Sequence, residues 1–267
     1  MSLGKYRELI DQIDEKIIQL LNERAKIARQ VGVWKIENGH PIFVPEREKA
    51  LLAKLKERNS GPLSSKAVAN IYREIISGSI ALEQPLKIAC VPYTSNPLRH
   101  PARLTFGDCA EYKAYGNVSE VFSEVEKKIC DYGVVSFADG AGGFDSDTID
   151  ALLQTDMKIV AERLDEQGVS VLVIGAQSPV NTGDDRTAFR AVVMNGGENP
   201  GFVREISDRH NIDILCFEVR TPQFCKDSRM IFAEFAGHPD DPEIQNALDE
   251  IAEFADSLDL LGGYPVL

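Results

Sequence analysis

The sequence predicts a multidomain α+β chain of three parts: a helical segment over residues 1–85, a small α/β lobe over 86–185, and a βαββαβ unit over 186–267. Apolar residues at three- and four-residue steps predict the helices of the first part. Short β-rich runs after Pro85 predict the lobe. An alternation of strands and helices after Thr187 predicts the third part.

The first helix is expected from Leu3 to about Glu37, a stretch that contains no proline. At ~1.5 Å per residue it would run roughly 50 Å, which is longer than a small single-domain core can cover. The sequence therefore predicts that a partner chain packs along it. The apolar residues at helical spacing are Leu9, Ile10, Ile13, Ile17, Leu20, Leu21, Ile27, Ala28 and Val31.

Two shorter helices follow. Breaker residues at 38–41 end the first helix, and Pro45, at a first-turn position, opens the second. Ser64 or Ser65 caps the third helix, which ends before Pro85. Its apolar positions are Val68, Ile71, Tyr72, Ile75, Ile76, Ile80 and Leu82.

The lobe is expected to contain strands around a helix capped by Ser119, with a loop rich in glycine and aspartate between 139 and 147. Its predicted strands are Lys87–Val91, Tyr132–Phe137 and Val169–Ile174.

The third part is expected to open with a strand that ends at Met194 and to close with a strand near Tyr264–Leu267. The last helix has Asp241 as its cap and Gly262 just past its end. This order fits a ferredoxin-like unit. The elements between are the helix Pro200–His210 and the strands Ile212–Val219 and Arg229–Ala236.

Composition excludes several classes of protein. The chain is 43% hydrophobic and 27% charged, as in globular proteins, and has no apolar run near the ~20 residues of a membrane span. The opening residues lack the basic and apolar regions of a signal peptide, so we expect a cytoplasmic protein. A net charge of −13 argues against nucleic acid or an anionic membrane as partner.

Five cysteines, at positions 90, 109, 130, 216 and 225, form no Cys-x-x-Cys pair, and none lies near a histidine at metal-ligand spacing. We therefore expect buried thiols and no metal site.

The charge is unevenly distributed. Residues 1–59 contain 12 Lys or Arg and 9 Asp or Glu, a net of +3, which leaves −16 for the remainder. A small anionic ligand would favour the N-terminal segment. Chance variation along a solvated helix is the alternative.

Basic residues of the first helix can converge on one ligand. Arg24 and Lys35 are eleven residues apart, which places them about 20° apart in azimuth on one helix face. Arg7 lies about 25 Å from Arg24 along the axis. If Arg7 binds the same small ligand, it does so from a partner subunit.

Polar residues on the other two helices complete the candidate set. Arg47 and Glu48 follow the proline of the second helix, and Ser79 and Glu83 share a face of the third at i, i+4. Taken singly, each charged residue also fits the solvated face of an amphipathic helix.

Together these positions resemble the all-helical chorismate mutase family, specifically the mutase domain fused ahead of prephenate dehydratase in bifunctional proteins. The resemblance runs from Tyr6 to Leu86 and rests on three ordered stretches: YRELIDQIDEKIIQLLNERAKIARQVGVWK, PEREKALL and REIISGSIALEQPLKIA. It implies chorismate as substrate, prephenate as product, an intertwined homodimer through the first helix, and no cofactor.

The resemblance also implies which side chains surround the two carboxylates, the hydroxyl and the ether oxygen of chorismate. The catalytic residues would be Arg24, Lys35, Arg47 and Glu83. The substrate would further be bound by Ser79 at a carboxylate, by Glu48 at the hydroxyl and, from the other subunit, by Arg7 at a carboxylate.

Such groups suit a rearrangement driven by electrostatics and shape, without a covalent step. Clamping both carboxylates holds a flexible dianion in its compact conformation before reaction. Fixed donors at the ether oxygen, Lys35 and Glu83, would stabilise the negative charge that develops as the C–O bond breaks, typically by ~3–4 kcal/mol for one donor.

Two positions depart from the family pattern. Val44 stands where some members carry an aspartate, which removes one polar contact. Glu83 stands where some carry a glutamine, and an ionised carboxylate would repel the developing charge. We therefore predict that Glu83 acts in its protonated form and that activity falls with rising pH.

The remainder resembles prephenate dehydratase followed by an ACT regulatory domain, with the dehydratase part eroded. The loop after the first strand reads Pro92–Asn96 and no longer matches the family. The Thr-Arg-Phe motif reads Thr187-Ala188-Phe189, so only the threonine and phenylalanine remain as vestiges. Arg190, on the opposite face of a strand, would not replace the arginine. Only about 50 residues separate Asp139 from Thr187, which is too few for the family's second catalytic lobe. Dehydratase activity is therefore predicted to be lost.

The ACT-like part keeps its effector signatures only in part, because Phe202 would crowd a pocket for phenylalanine and Pro222 falls one place late. An aromatic amino acid effector and a dimerisation module without effector both remain open. The candidate effector-binding residues are Gly201, Phe202, Val203, Glu218 and Arg220.

We thus predict a homodimeric chorismate mutase of aromatic amino acid biosynthesis, the shikimate-derived route to phenylalanine and tyrosine, with a degenerate dehydratase lobe and an ACT-like domain. Two alternatives stay open: an intact bifunctional mutase–dehydratase, and a non-catalytic ACT-type amino acid sensor. The sequence retains all five charged residues that the resemblance assigns to the site on the first two helices, which argues against the sensor because packing requires none of them. These residues are Arg7, Arg24, Lys35, Arg47 and Glu48.

Overall fold

The computed structural model describes residues 2–92, 101–164, 169–194, 200–221 and 228–267. Contacts divide the chain into two compact units. The first comprises Met1–Phe43, Leu52–Leu86 and Phe106–Glu111, and the second comprises Val44–Leu51, Lys87–Thr105 and Tyr112–Leu267. The division into three domains at residues 85 and 185 stays a prediction.

The N-terminal segment is helical, as predicted. Ser2 accepts a hydrogen bond from the Lys5 amide and caps the first helix, whereas Ser64 accepts from the Ala67 amide at 3.1 Å and caps the third. The three helices are α1 (Leu3–Glu37), α2 (Pro45–Arg58) and α3 (Ser65–Glu83).

The second unit contains a mixed five-stranded sheet of order β2-β1-β3-β5-β4, in which β1 and β3 are parallel and β5 is antiparallel to both β3 and β4. Its elements are β1 (Lys87–Cys90), α4 (Pro101–Phe106), β2 (Glu111–Ala114), α5 (Val118–Glu126), β3 (Tyr132–Asp139), α6 (Ser146–Leu152), β4 (Lys158–Leu164) and β5 (Val169–Gly175).

Several elements of this sheet differ from the prediction. The cap of α5 is Asn117, whose side chain accepts from the Glu120 amide at 2.9 Å, and not Ser119. Helix α6 begins inside the predicted loop because Asp145 caps it. Strands β2 and β4 were not predicted, because charged residues interrupt their apolar runs. Strand β4 pairs antiparallel with β5 and buries Ile159, Val160 and Ala161.

The second sheet has the order β7-β8-β6-β9, which is the ferredoxin-like βαββαβ topology that the sequence predicted. Helices α7 and α8 share one hydrophobic core with one of its faces, and the other face packs in a common core with the first sheet. Its elements are β6 (Asp185–Val193), α7 (Phe202–His210), β7 (Ile214–Arg220), β8 (Arg229–Ala236), α8 (Pro242–Phe254) and β9 (Ser257–Pro265).

The prediction for the last helix and strand was wrong in its boundary. Helix α8 ends at Phe254 rather than just before Gly262, and β9 begins at Ser257. Strand β9 pairs antiparallel with β6 from Ser257–Val192 to Pro265–Asp185. The leucines at 258, 260 and 261 fit a helix as well as a strand, and only this pairing decides between them.

The cysteines match the prediction in part. Cys90, Cys130 and Cys216 are buried thiols, and burial raises the pKa of Cys90 and of Cys216. Cys109 is exposed, contrary to the prediction, because it lies on a surface segment between α4 and β2. Cys225, Pro222 and the loop residues 93–96 lie outside the described residues.

Across these described ranges, none of the helices has both the length and the apolar character that crossing a membrane requires.

Candidate functional site

Helices α1 and α3 bring together four of the predicted site residues in two pairs. Arg24 of α1 donates through its guanidinium to Ser79 Oγ of α3. Ser79 in turn donates to the Ile75 carbonyl at 2.7 Å, and its side chain is buried. The hydroxyl is therefore fixed in orientation beside a cation.

The second pair is Lys35 of α1 and Glu83 of α3. The Lys35 Nζ lies 3.0 Å from Glu83 Oε2, and both side chains are largely buried. Lys35 also donates to the Ile42 carbonyl at 2.8 Å. The two hydrogen bonds hold the ammonium in one position, which a solvated surface lysine would not need.

The loop after α1 accounts for the position of Ile42. Asn38 caps the C-terminus of α1, and Gly39 adopts a positive φ of 69°. The amides of Gly39 and His40 then bond back to the last turn, which reverses the chain. Sequence reasoning missed Ile42 as a partner of Lys35, although the breaker cluster marked the reversal.

The other three predicted residues lie on α1 and α2. Arg7 is exposed near the start of α1, seventeen residues before Arg24 in the same helix. Arg47 and Glu48 lie in the first turn of α2, where both amides point to the Val44 carbonyl. Arg47 is exposed and Glu48 is buried, and residues 44–51 belong to the second compact unit.

Thr187 and Phe189, which were predicted to be vestigial dehydratase residues, make packing contacts and hydrogen bonds within the fold. Thr187 is fully buried, and its hydroxyl donates to the Gly237 carbonyl at 2.7 Å. Phe189 is equally buried and packs edge-on against Phe235. The prediction for Arg190 was wrong in its face: Arg190 pairs with Phe232, which shares a core with Ala188, because side chains two residues apart on a strand point the same way. Arg190 donates to Asp259 Oδ2 at 2.8 Å and to the Leu153 carbonyl at 3.0 Å. These groups hold β6 in place.

The candidate effector residues are likewise engaged. Gly201 precedes α7, and Phe202 and Val203 are buried in the core beneath it, with Phe202 against the ring of Phe254. On β7, Arg220 contacts Glu218 Oε2 at 2.6 Å and Asp150 Oδ1 at 2.9 Å. Contacts within the protein therefore satisfy the charge of Arg220.

A buried acidic cluster between the two sheets escaped sequence reasoning. Glu162 of β4 and Glu234 of β8 both contact Arg186 NH1, at 2.5 and 3.5 Å, and Tyr264 donates to Glu234. Burial raises the pKa of Glu162, and burial together with Glu162 raises the pKa of Glu234 to about 7. Strand periodicity could not reveal which charged residues face each other across two sheets.

Among the described residues, no three His, Cys, Asp or Glu side chains are grouped so that they could hold a metal ion.

Comparison with known families agrees with the helical geometry. The sequence model of the family "Chorismate mutase type II" matches residues 6–84. These residues form a chorismate mutase domain. The match includes all four paired side chains, from Arg24 to Glu83, together with Arg7, Arg47 and Glu48.

Curated relatives extend the similarity beyond the mutase domain. A bifunctional chorismate mutase/prephenate dehydratase of Aquifex aeolicus is 40% identical over 164 residues, which cover 60% of this chain and 45% of that protein. A protein of the same description from Pseudomonas aeruginosa is 26% identical over 358 aligned positions, covering 98% of this chain and 97% of that protein. The chain is thus related to the bifunctional enzymes, although its match to the Aquifex protein spans less than half of that relative.

Solved structures resemble about two thirds of the chain in fold. The prephenate dehydratase from Streptococcus mutans superposes with a TM-score of 0.56 at 20% sequence identity. The match covers 68% of this chain and 98% of the Streptococcus chain. The prephenate dehydratase from Arthrobacter aurescens, in complex with L-Phe, gives a TM-score of 0.56 at 13% identity over 67% of this chain and 90% of that one. At these identities the likeness concerns the fold.

Proposed function

We propose that this protein is a chorismate mutase that converts chorismate to prephenate as a homodimer and without a cofactor. The observation that carries the proposal is the pairing of Arg24 with Ser79 and of Lys35 with Glu83 along α1 and α3. Arg24 and Lys35 lie on one face of α1 and are held there by contacts with α3, and two such cations suit a small dianion. The net positive charge of residues 1–59 also favours an anionic ligand.

The reaction would need only positioning and electrostatics. Arg24 and Ser79 would hold one carboxylate, and Arg7 of the partner subunit and Arg47 would complete the clamp on the substrate. As the C–O bond breaks and the new C–C bond forms within the same molecule, negative charge grows on the ether oxygen. Lys35 and a protonated Glu83 would donate to it there, and Glu48 would face the hydroxyl.

The direct test measures chorismate disappearance by ultraviolet absorbance with purified protein, followed by separation of the products. Wild type is compared with Arg24→Ala and with Arg58→Ala, a matched control at an exposed arginine of α2. We expect prephenate from wild type and the control and a loss of activity in Arg24→Ala. No consumption by wild type between about pH 5 and 8 would leave the amino acid sensor as the function.

We infer the homodimer from the surface of α1. Gly32 is the one buried residue among the 35 of this helix, all of which are described. A helix of this length with so many exposed apolar residues requires a covering surface, and a second copy through α1 also supplies Arg7. The exposed apolar residues include Leu9, Ile10, Ile13, Ile17, Leu20, Leu21, Ile27, Val31 and Trp34.

We also propose that prephenate dehydratase activity is lost. The buried Thr187 hydroxyl and the engaged Arg190 support this, because neither group is available to a substrate. The alignment with the Pseudomonas relative extends over 358 positions, more than this chain contains, so segments of that relative have no counterpart here. Both relatives are bifunctional chorismate mutase/prephenate dehydratases, which favours the alternative of an intact bifunctional enzyme, and phenylpyruvate among the products would establish it.

The ferredoxin-like unit would serve as an ACT-like module of this mutase. The Arthrobacter neighbour binds L-Phe, which makes an aromatic amino acid the effector to test. The burial of Phe202 supports a packing role for the signature residues instead. Thermal unfolding with added phenylalanine or tyrosine separates the two, because a ligand that binds only the folded state raises the Tm.

A further inference from the structure

Gly32 lies in the interior of α1, one turn before Lys35 and under α3. Glycine is unfavourable at such a position relative to alanine, since it adds no side chain and costs backbone entropy. Its neighbours in α1 are exposed, whereas Gly32 is buried. A specific packing requirement is therefore needed to explain a glycine there.

That requirement is the approach of Glu83. A Cβ atom placed on Gly32 would lie 2.6 Å from Glu83 Cβ and 2.8 Å from both Glu83 Cα and Cγ. Carbon atoms in contact need about 3.5–4.0 Å, so a side chain at position 32 would move the Glu83 backbone by about 1 Å. The Lys35–Glu83 distance of 3.0 Å leaves no room for such a shift without lengthening the bond.

We propose that Gly32 is a positioning residue of the mutase site: because it has no side chain, α3 approaches α1 closely enough for Glu83 to meet Lys35. This inference rests on the proposed chorismate mutase function. Gly32 does not touch the substrate and acts only through Glu83. The competing explanation is that Gly32 serves the packing of α1 on α3 and has no influence on turnover beyond the stability of the fold.

The first experiment compares kcat and KM for chorismate in wild type, Gly32→Ala and Gly78→Ala. Gly78 is the matched control, a helical glycine of α3 at which an added Cβ would meet only Cys109 Sγ, at 4.0 Å. We expect Gly32→Ala to lower kcat about a hundredfold, as a displacement near 1 Å can do. KM should stay within about twofold, because Arg24 and Ser79 keep their places. Unchanged kcat in Gly32→Ala would overturn the proposal.

A double-mutant cycle separates positioning from packing. In a Glu83→Ala background, Gly32→Ala should lower kcat by no more than about twofold, because the carboxyl group that it displaces is absent. An equal loss in both backgrounds would overturn the proposal in favour of packing. If wild type itself consumes no chorismate, the proposed function fails, a result that differs from an active wild type with an unaffected Gly32→Ala variant.

Circular dichroism and thermal unfolding establish that each variant folds. Should Gly32→Ala not fold, Glu83→Asp provides the second test, since it withdraws the carboxyl group from Lys35 by about one methylene without a clash at position 32. We expect a loss of kcat of about tenfold or more. Wild-type turnover in Glu83→Asp would show that the placement of this group does not matter and would overturn the proposal.

Discussion

At the scale of single residues, the candidate site depends on where charge is held. Lys35 is fixed by Glu83 and by the Ile42 carbonyl, and Arg24 by Ser79. Fixed donors stabilise a developing charge without reorganising during the reaction. An immobile ammonium group therefore stabilises the transition state more than a solvated one does.

Removal of the Lys35 ammonium should therefore affect turnover strongly. We expect Lys35→Met to lower kcat by about a hundred- to a thousandfold, the usual effect of losing one such donor. Lys54→Met, at an exposed lysine of α2, is the control. Steady-state kinetics with chorismate measures both, and similar kcat values in the two variants would remove Lys35 from the catalytic set.

The role of the Glu83 carboxyl group can be tested with a neutral replacement. An ionised carboxylate repels the negative charge on the ether oxygen, whereas a neutral donor stabilises it. Glu83→Gln, which places an amide donor at this position, should therefore turn over at least as fast as wild type. Steady-state kinetics with chorismate measures kcat for both proteins, and a strongly reduced kcat in Glu83→Gln would refute a donor role for this position.

At the scale of elements, α1 is the helix through which two copies would share a site. Its length and exposed apolar face exceed what a single copy of the N-terminal segment covers. If Arg7 acts across the dimer, each site combines Arg24 of one subunit with the partner's Arg7.

Mixed dimers test that arrangement. Arg7→Ala and Arg24→Ala should each be inactive alone, but equal mixing with subunit exchange should recover about a quarter of wild-type activity, because half of the dimers regain one intact site. Mixing each variant with itself is the control. No recovery, with exchange verified by mass spectrometry of tagged subunits, would place Arg7 outside the site.

The buried carboxyl group of Glu234, on strand β8, predicts that the stability of the fold depends on pH. The pKa of buried Glu234 is raised to about 7, so the folded state binds its proton more tightly than the unfolded state does. Its contribution to the free energy of unfolding is fully present below the pKa that Glu234 has in the unfolded chain. That contribution, on the order of 3 kcal/mol, is lost as the pH rises through about 7. Denaturant unfolding should show Glu234→Gln more stable than wild type near pH 8 but not near pH 5. Exposed Glu253→Gln should follow wild type at both.

At the scale of the whole molecule, a mutase domain is joined to a dehydratase-like fold. Its residues Thr187, Ala188 and Phe189 are all fully buried, on a strand paired on both sides. The position at which the family resemblance expects an arginine, Ala188, therefore lies in the core.

Restoring that arginine should not restore activity. In Ala188→Arg a long side chain would have to fit at a fully buried position opposite Glu234, where the core leaves no room for it, at a cost of about 1–3 kcal/mol, and the Tm should fall. Arg186→Lys serves as a control at a neighbouring position that already carries a paired charge. Thermal unfolding and a phenylpyruvate assay check both statements, and phenylpyruvate formation by Ala188→Arg would contradict them.

The sequence by itself determined the local features: the three N-terminal helices, the ferredoxin-like order of the last elements, and the shared faces of Arg24 with Lys35 and of Ser79 with Glu83. Each follows from periodicity and capping signals that are read along the chain without any long-range contact. Only the tertiary structure decided which groups meet across long separations: Lys35 with Glu83, Gly32 beneath Glu83, and Glu162 with Glu234 on one arginine. It also made 257–265 a strand, because pairing with β6 satisfies its backbone where the local pattern allows either structure.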